Sequence, residues 1–302
     1  MCGIVGCLAL ALEADPDQSW VHTATERISH RGPDDEGFYT DPDVALGYKR
    51  LAIIDLSPGG HQPMRSADGR YWMVYNGEIY NYVELGQELR AQGVTLRSSS
   101  DSEVLLEMYA LVGKEIVHRL RGMFAFAIWD TWTRELFCAR DQFGIKPFYY
   151  TLDPSPEQDW FGGTAERAPR AAAGTPSEPD RGGSPGGRHA AAGPVARPAP
   201  AGPGGRGRHA AGKGHPGGPA PADPAASASP AGTGRLLRFA SERKCLASPG
   251  ELSALDRDAL RHYLAFQYVP PPAALTRPIQ VLPPGHALIA RPGGNVDVYR
   301  YW

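Results

Sequence analysis

The apolar positions of this chain fall into strand-length runs and helical stripes separated by turn residues. The chain opens on an apolar stretch in which Ile4-Val5 begin a buried strand. Residues 17–29 predict a short helix, stopped by the turn-rich Arg31-Gly32-Pro33-Asp34-Asp35. Val44, Leu46 and Tyr48 alternate and Ile53-Ile54 prolong the apolar run, predicting strands that end in a loop over 55–63. Another strand is predicted at 71–75, followed by Asn76-Gly77-Glu78. A helix with Tyr82, Leu85 and Leu89 on one face then stops at Gly93. Asp101 is placed to cap the next helix, with Glu103 in its first turn and Val104, Leu105 and Met108 facing inward. Residues 123–129 alternate, turn at Asp130-Thr131-Trp132-Thr133 and return through 136–139 as a hairpin. Further on, Leu236 leads a strand into Phe239-Ala240-Ser241-Glu242 and a helix spans 256–265. Pro270-Pro271-Pro272 breaks it, and short strands follow near Ile279, 287–290 and 296–301. Strands, two helices and strands again predict layered sheets flanked by helices, not alternating βαβ units.

Composition changes this picture in one region. Of 302 residues, 42% are hydrophobic, enough for a sizeable core, but the 36 Gly and 29 Pro are spread unevenly, with 18 and 13 of them in 162–234. Val195 is the only large aliphatic side chain in that Ala/Gly/Pro/Arg stretch. It cannot bury enough apolar surface to offset ordering entropy, so disorder is expected there. The expected organisation is a folded first part (2–161), an insertion (162–234) and the remainder of the same domain (235–302). A natural insertion and a shifted reading frame in a GC-rich gene both account for the bias.

Charge and cysteine usage narrow the function classes. A formal charge of −2 carries no electrostatic footprint for nucleic acid or an anionic membrane. No run approaches the ~18 apolar residues of a membrane span, and the first residues lack the basic start of a signal peptide. Cys2, Cys7, Cys138 and Cys245 have no ligand or disulfide spacing. No metal site is expected, and a reducing cytoplasm fits best.

The candidate chemistry begins at Met1-Cys2-Gly3-Ile4-Val5-Gly6. Methionine is removed when the next side chain is small, so Cys2 can become N-terminal, with a thiol and a free α-amine on one residue. An unperturbed α-amine has a pKa of about 7.7–8.0, so the nucleophile carries its own base. Gly3 and Gly6 would allow close backbone approach around it. A packed strand cysteine is the plain alternative. Arg50, at a strand end, is either a surface residue or a bidentate clamp for a carboxylate. Asn76-Gly77 is either a hairpin turn or an oxyanion hole built from the Asn76 amide and the Gly77 N–H. Glu78 and Asp101 are either helix-start carboxylates or acceptors for an ammonium. His30 and His61 read as structural turn residues. Taken together, the set matches a free α-amino acid bearing a side-chain amide, namely glutamine.

Six motifs carry a resemblance. Met1-Cys2-Gly3-Ile4-Val5-Gly6, Arg31-Gly32-Pro33-Asp34, Arg50-Leu51, Val74-Tyr75-Asn76-Gly77-Glu78-Ile79-Tyr80-Asn81, Ser100-Asp101-Ser102-Glu103 and Arg140-Asp141-Gln142-Phe143-Gly144-Ile145-Lys146-Pro147 occur in that order. The chain resembles glutamine-hydrolysing asparagine synthetases over about its first 150 residues and again from Phe239. The amidotransferases making glucosamine 6-phosphate or phosphoribosylamine share the Cys-Gly-Ile start but are less similar elsewhere. The resemblance implies an α+β fold, the four-layer αββα sandwich of antiparallel sheets of the N-terminal-nucleophile hydrolases. It implies Cys2 as nucleophile, Asn76 and Gly77 as oxyanion hole, Arg50 on the glutamine α-carboxylate, and Glu78 with Asp101 on its α-amine. It allows a homodimer. The family's ATP-pyrophosphate loop, of the Ser-Gly-Gly-x-Asp-Ser kind, does not occur in these residues, so the chain reads as a glutaminase half cut off before its synthetase domain. No cofactor is then expected for this chain, and ATP and Mg²⁺ only with that domain. The alternatives are a glutamine-binding module without turnover, or the glutaminase domain of an amidotransferase with another acceptor.

Overall fold

The computed structural model describes residues 1–153, 236–248, 250, 252 and 255–302. The stretch read as an insertion, 162–234, lies outside them. In chain order the strands are β1 (Gly3–Ala9), β2 (Asp35–Thr40), β3 (Val44–Arg50), β4 (Met64–Arg65), β5 (Tyr71–Ile79) and β6 (Gly122–Asp130). They continue with β7 (Glu135–Arg140), β8 (Tyr149–Asp153), β9 (Leu236–Ala240), β10 (Gln280–Val281), β11 (His286–Ala290) and β12 (Val296–Arg300). The helices are α1 (Gln18–Glu26), α2 (Tyr82–Ala91), α3 (Asp101–Val112) and α4 (Arg257–Phe266).

Two six-stranded sheets result, ordered β10-β8-β9-β1-β3-β2 and β12-β11-β7-β6-β5-β4. Strand β1 is central and buried along its whole length. Its side chains alternate between two cores, as a period of two requires. Ile4 and Leu8 enter the layer between the sheets with Leu46, Val74, Trp129, Leu237 and Phe239. Val5 and Cys7 enter a second core beneath α1, with Trp20, Val21, Ala24 and Ile28. On the far side of the second sheet, α2 and α3 cover Met73, Phe124, Phe126 and Phe137 with Leu85, Leu89, Leu105 and Met108. Helix, sheet, sheet, helix is the four-layer order expected. Each fully buried Leu, Ile or Phe in these layers contributes about 1.5–3 kcal/mol.

Strand β9 enters between β8 and β1, pairing Tyr149 with Ala240 on one side and Val5 with Ala240 on the other. The head of β1 is closed by Ser241, whose N–H donates to Ile4 O at 2.9 Å and whose Oγ accepts from Ile4 N at 3.0 Å. The glycines of the first motif serve packing more than the thiol. A Cβ on Gly6 would sit 2.1 Å from the Phe239 ring, and one on Gly3 2.5 Å from Ile28.

Several boundaries differ from the sequence expectation. Strand β3 ends at Arg50 and Ile53 is exposed, because the Leu51 N–H leaves the ladder for the Cys2 sulfur. Strand β5 continues through Asn76-Gly77-Glu78 to Ile79, held in register against β6 down to the Ile79–Gly122 pair. Asn76-Gly77 is therefore not a turn, and Glu78 is a strand residue rather than a helix start. The cap of α3 is Ser100, not Asp101: Ser100 is extended and its side chain accepts from Ser102 N, which makes Asp101 the first helical residue. Helix α1 is capped by Asp17 and ends at Glu26, short of the predicted 29.

Candidate functional site

The antiparallel register of β1 on β3 pairs Gly3 with Lys49, which sets Cys2, one residue earlier, against Arg50. The Cys2 thiol lodges on the next main-chain unit. Leu51 N–H donates to Sγ at 3.4 Å and the thiol donates to Leu51 O at 3.5 Å. The other three cysteines are buried, whereas Cys2 is only half-buried. It opens into a cleft of about 600 Å³, open solvent included, that Arg50, Asn76, Gly77, Glu78 and Asp101 also line. All six residues expected at the site are thus brought together. His30 and His61 are not among the lining residues. They pair with Glu242 (2.8 Å) and Asp35 (2.7 Å) instead.

Arg50 is buried, and among the described residues its hydrogen bonds go to main-chain carbonyls of the loop after β3. Its Nη1 donates to Ser57 O at 2.8 Å and its Nη2 to Asp55 O. Carbonyls orient a guanidinium but do not neutralise it. Gly60 keeps the space open, since a Cβ there would lie 2.2 Å from Arg50 Nη2. Asn76 is 1% exposed, and its Nδ2 has no hydrogen-bond partner among the described residues. Leaving such a donor unmatched costs about 1–3 kcal/mol. Native proteins tolerate that where an acceptor arrives later.

Because Ser100 does the capping, the Asp101 carboxylate is free to reach back to β5. Its Oδ2 accepts from Tyr75 OH at 2.7 Å and Ile79 N at 3.0 Å. Burial raises its pKa above the ordinary aspartate value and Glu78 adds to the rise, against the opposing donors from Ile79, Tyr75 and Ser102. A chain of hydrogen bonds floors the cleft. Gln62 Nε2 donates to Tyr48 OH at 3.2 Å, Gln62 Oε1 accepts from Tyr75 N at 2.6 Å, and Tyr75 reaches Asp101. Burial, then Cys2, pushes the Tyr48 phenol well up. Burial, then Asp101, does the same to Tyr75. Both phenols therefore stay neutral donors at physiological pH.

Two further groups surround the nucleophile. Arg31 Nε donates to Cys2 O at 3.0 Å and its Nη1 to Glu242 Oε1 at 3.0 Å. Lys244 and His30 share that carboxylate. Burial alone would raise the Glu242 pKa, but Arg31, Lys244 and His30 bring it below the usual value. Lys146 is buried and lines the cleft. It is presented by a turn that Arg140 and Asp141 fix from within: Asp141 takes the N–H groups of Phe124, Phe143, Ile145 and Lys146.

Sequence reasoning did not single out Tyr48, Gln62, Tyr75 or Lys146. For Tyr48 a signal existed, because it lies two residues before Arg50 on one strand and so shares its face. Among the described residues no group of three or more His, Cys, Asp or Glu side chains is placed to hold a metal ion. No helix there is long and apolar enough to cross a membrane. The cleft therefore presents a thiol, two cations (Arg50 and Lys146), three carboxylates (Asp55, Glu78 and Asp101) and an unmatched amide donor.

Comparison with known proteins agrees with this geometry. The sequence model described as "Glutamine amidotransferase domain" matches residues 1–167 and 229–302. Asparagine synthetase [glutamine-hydrolyzing] 1 of Bacillus subtilis is 32% identical over 305 residues, covering 100% of this chain and 35% of the relative. Asparagine synthetase [glutamine-hydrolyzing] 3 of the same organism is 41% identical over 157 residues, covering 51% of this chain and 25% of the relative. The chain thus spans about a third or less of the length of these relatives. Among solved structures, the glutamine phosphoribosylpyrophosphate amidotransferase of B. subtilis superposes with a TM-score of 0.52 at 15% identity, over 100% of this chain and 49% of that one. That likeness bears on the fold alone, which is the N-terminal-nucleophile α+β sandwich. With the model matching most of the sequence and a relative above 30% identity along all of it, the chain belongs to the glutamine amidotransferase domain family.

Proposed function

We propose that this chain hydrolyses glutamine through Cys2 and supplies the ammonia to an acceptor reaction of the asparagine-synthetase type. The observation that carries the reading is the buried Asn76 Nδ2, a donor without an acceptor in a cleft that also holds a thiol. An amide carbonyl turning into an oxyanion supplies the missing acceptor. In this reading Arg50 takes the glutamine α-carboxylate, and Glu78 with Asp101 takes its α-ammonium. Once Met1 is removed, the Cys2 α-amine accepts the thiol proton and sulfur attacks the side-chain carbonyl carbon. The oxyanion forms against Asn76 Nδ2 and the Gly77 N–H. The α-ammonium then protonates the amide nitrogen, the C–N bond breaks and ammonia leaves. Water, deprotonated by the same amine, cleaves the γ-glutamyl thioester to glutamate. Activation of an acceptor carboxylate with ATP and Mg²⁺ we assign to the part of the longer relatives that this chain does not cover. Chain alone should release glutamate and ammonia without ATP.

The test is glutamine turnover by purified chain whose loss of Met1 is verified by intact mass. Cys2→Ala should abolish turnover, while Cys7→Ala, altered in the core beneath α1, should retain it. Asn76→Ala should lower kcat by about 10²–10³ with no loss of thermal stability, since it removes an unmatched donor. Equal loss in the Cys2 and Cys7 variants, or turnover by protein that keeps Met1, would overturn the assignment.

A further inference from the structure

Lys146 is a cleft residue to which that reaction gives no task. Its ammonium is buried on the lining that Cys2 shares. Nζ donates to Met1 Sδ at 3.5 Å, and no carboxylate lies within ion-pair distance of it among the described residues. A thioether is a weak acceptor, and this one departs with Met1. A structural lysine would have a counter-ion, because a buried unpaired charge is costly. The charged groups facing it are mixed. Burial disfavours its charge most, Arg31 also opposes it, and Cys2, Glu78 and Asp141 favour it. Asp141, however, already accepts four main-chain N–H groups. Beyond these, Arg50, Tyr48 and Asp101 line the same cleft.

Resting on the glutaminase reading, we propose that Lys146 is a positioning cation for the mature N-terminus, favouring loss of the first proton from the Cys2 thiol and amine taken as a pair. The pair must hold one proton, not two, for attack to begin. Which atom gives it up does not matter, since two coupled groups titrate as a unit. A fixed positive charge beside them makes the doubly protonated, cationic state less favourable. The singly protonated state is neutral overall and is little affected, whether written as thiol with amine or thiolate with ammonium. Lys146 therefore carries the pH range in which the nucleophile is ready to lower pH.

Cys2 is half-buried while Cys7, Cys138 and Cys245 are buried, so iodoacetamide labelling of folded, Met1-free protein reports on Cys2. Lys146→Met should move the midpoint of the labelling rate against pH upward by about one unit. The acidic limb of kcat/KM should move with it, and Lys146→Arg should restore both midpoints. If circular dichroism shows Lys146→Met unfolded, Lys146→Gln serves in its place. An unmoved labelling midpoint in the neutral variant overturns the proposal, even if glutamine is turned over. A shifted midpoint in protein that never hydrolyses glutamine leaves Lys146 in its role and sinks the glutaminase reading instead.

Discussion

Two buried arginine–aspartate sets behave differently in this fold. Arg140, 8% exposed, spends Nε on Lys146 O (2.7 Å), Nη1 on Leu282 O (2.7 Å) and Nη2 on Gly144 O (2.6 Å). Its neighbour Asp141 is fully buried, accepts four main-chain N–H groups, and offsets part of the burial that lowers the Arg140 pKa. Arg50 is as buried, at 7%, yet has two loop carbonyls and an open cleft before it. Asp101 takes a phenol and a main-chain N–H on one oxygen and lines the same cleft. Burial alone does not separate the two sets, but hydrogen-bond accounting does. The saturated set builds a turn, and the set with capacity left over faces the open cleft.

The largest expected effect lies in the turn. Asp141→Ala strands the buried N–H groups of Phe124 and Lys146, frees the half-buried ones of Phe143 and Ile145, and removes the counter-charge of Arg140, a loss of about 3–5 kcal/mol. At about 2–4 °C per kcal/mol for a domain of this size, the melting temperature should fall by roughly 10 °C. A melting curve within 2 °C of wild type would mean that the turn is not held by Asp141.

Arg50→Met sharpens the contrast. It removes a charge that has no ion pair among the described residues, so stability should change by less than about 1 kcal/mol. The glutamine KM should rise by about 30–150-fold, the worth of a charge-assisted pair at 2–3 kcal/mol, with kcat changed far less. Initial rates against glutamine concentration check it. A large fall in melting temperature with KM unmoved would place Arg50 with Arg140 as a structural residue.

The sequence made the frame of this contrast legible. Strands β1 and β3 announced themselves by apolar run and alternation, helices α2 and α3 by their stripes. The resemblance then brought Cys2, Arg50, Asn76, Gly77, Glu78 and Asp101 into one reading. Strand β2 did not show because, in Asp35–Thr40, only Gly37 is buried, which leaves no apolar period to detect. The polar end of β5 was hidden for a related reason: Asn76-Gly77-Glu78 has no strand propensity, and its pairing with β6 comes from residues more than forty positions away. Gln62 joins Tyr48 to Tyr75 across two sheets, a tertiary link that no local pattern encodes. Lys146 lies within the Arg140–Pro147 motif without a local signal for its role, because its place in the cleft depends on the turn that Arg140 and Asp141 build.

The smallest effect to be expected is the pH dependence of Asp101, and its sign can be worked out. Burial raises the folded-state pKa of Asp101 above its unfolded value. For such a carboxyl the favourable, neutral contribution to folding is fully present below the unfolded pKa and is lost as pH rises through the folded pKa. At neutral pH the ionised carboxylate therefore costs stability, and in the proposed function it is kept because an ammonium needs it charged. As pH falls through the raised value, Asp101 should protonate sooner than an ordinary aspartate. The glutamine KM should then climb toward about tenfold per unit at the acid end. Asp101→Asn should flatten this climb, giving a KM that is high at every pH, while leaving the melting temperature at neutral pH equal or higher. The measurement is KM from pH 4.5 to 8, roughly the window above the ordinary carboxylate range, beside melting curves in the same buffers. If Asp101→Asn kept the acid climb in KM, the titrating group would be another carboxylate of the cleft. If it melted well below wild type at neutral pH, Asp101 would belong with Asp141 as a saturated, structural acid.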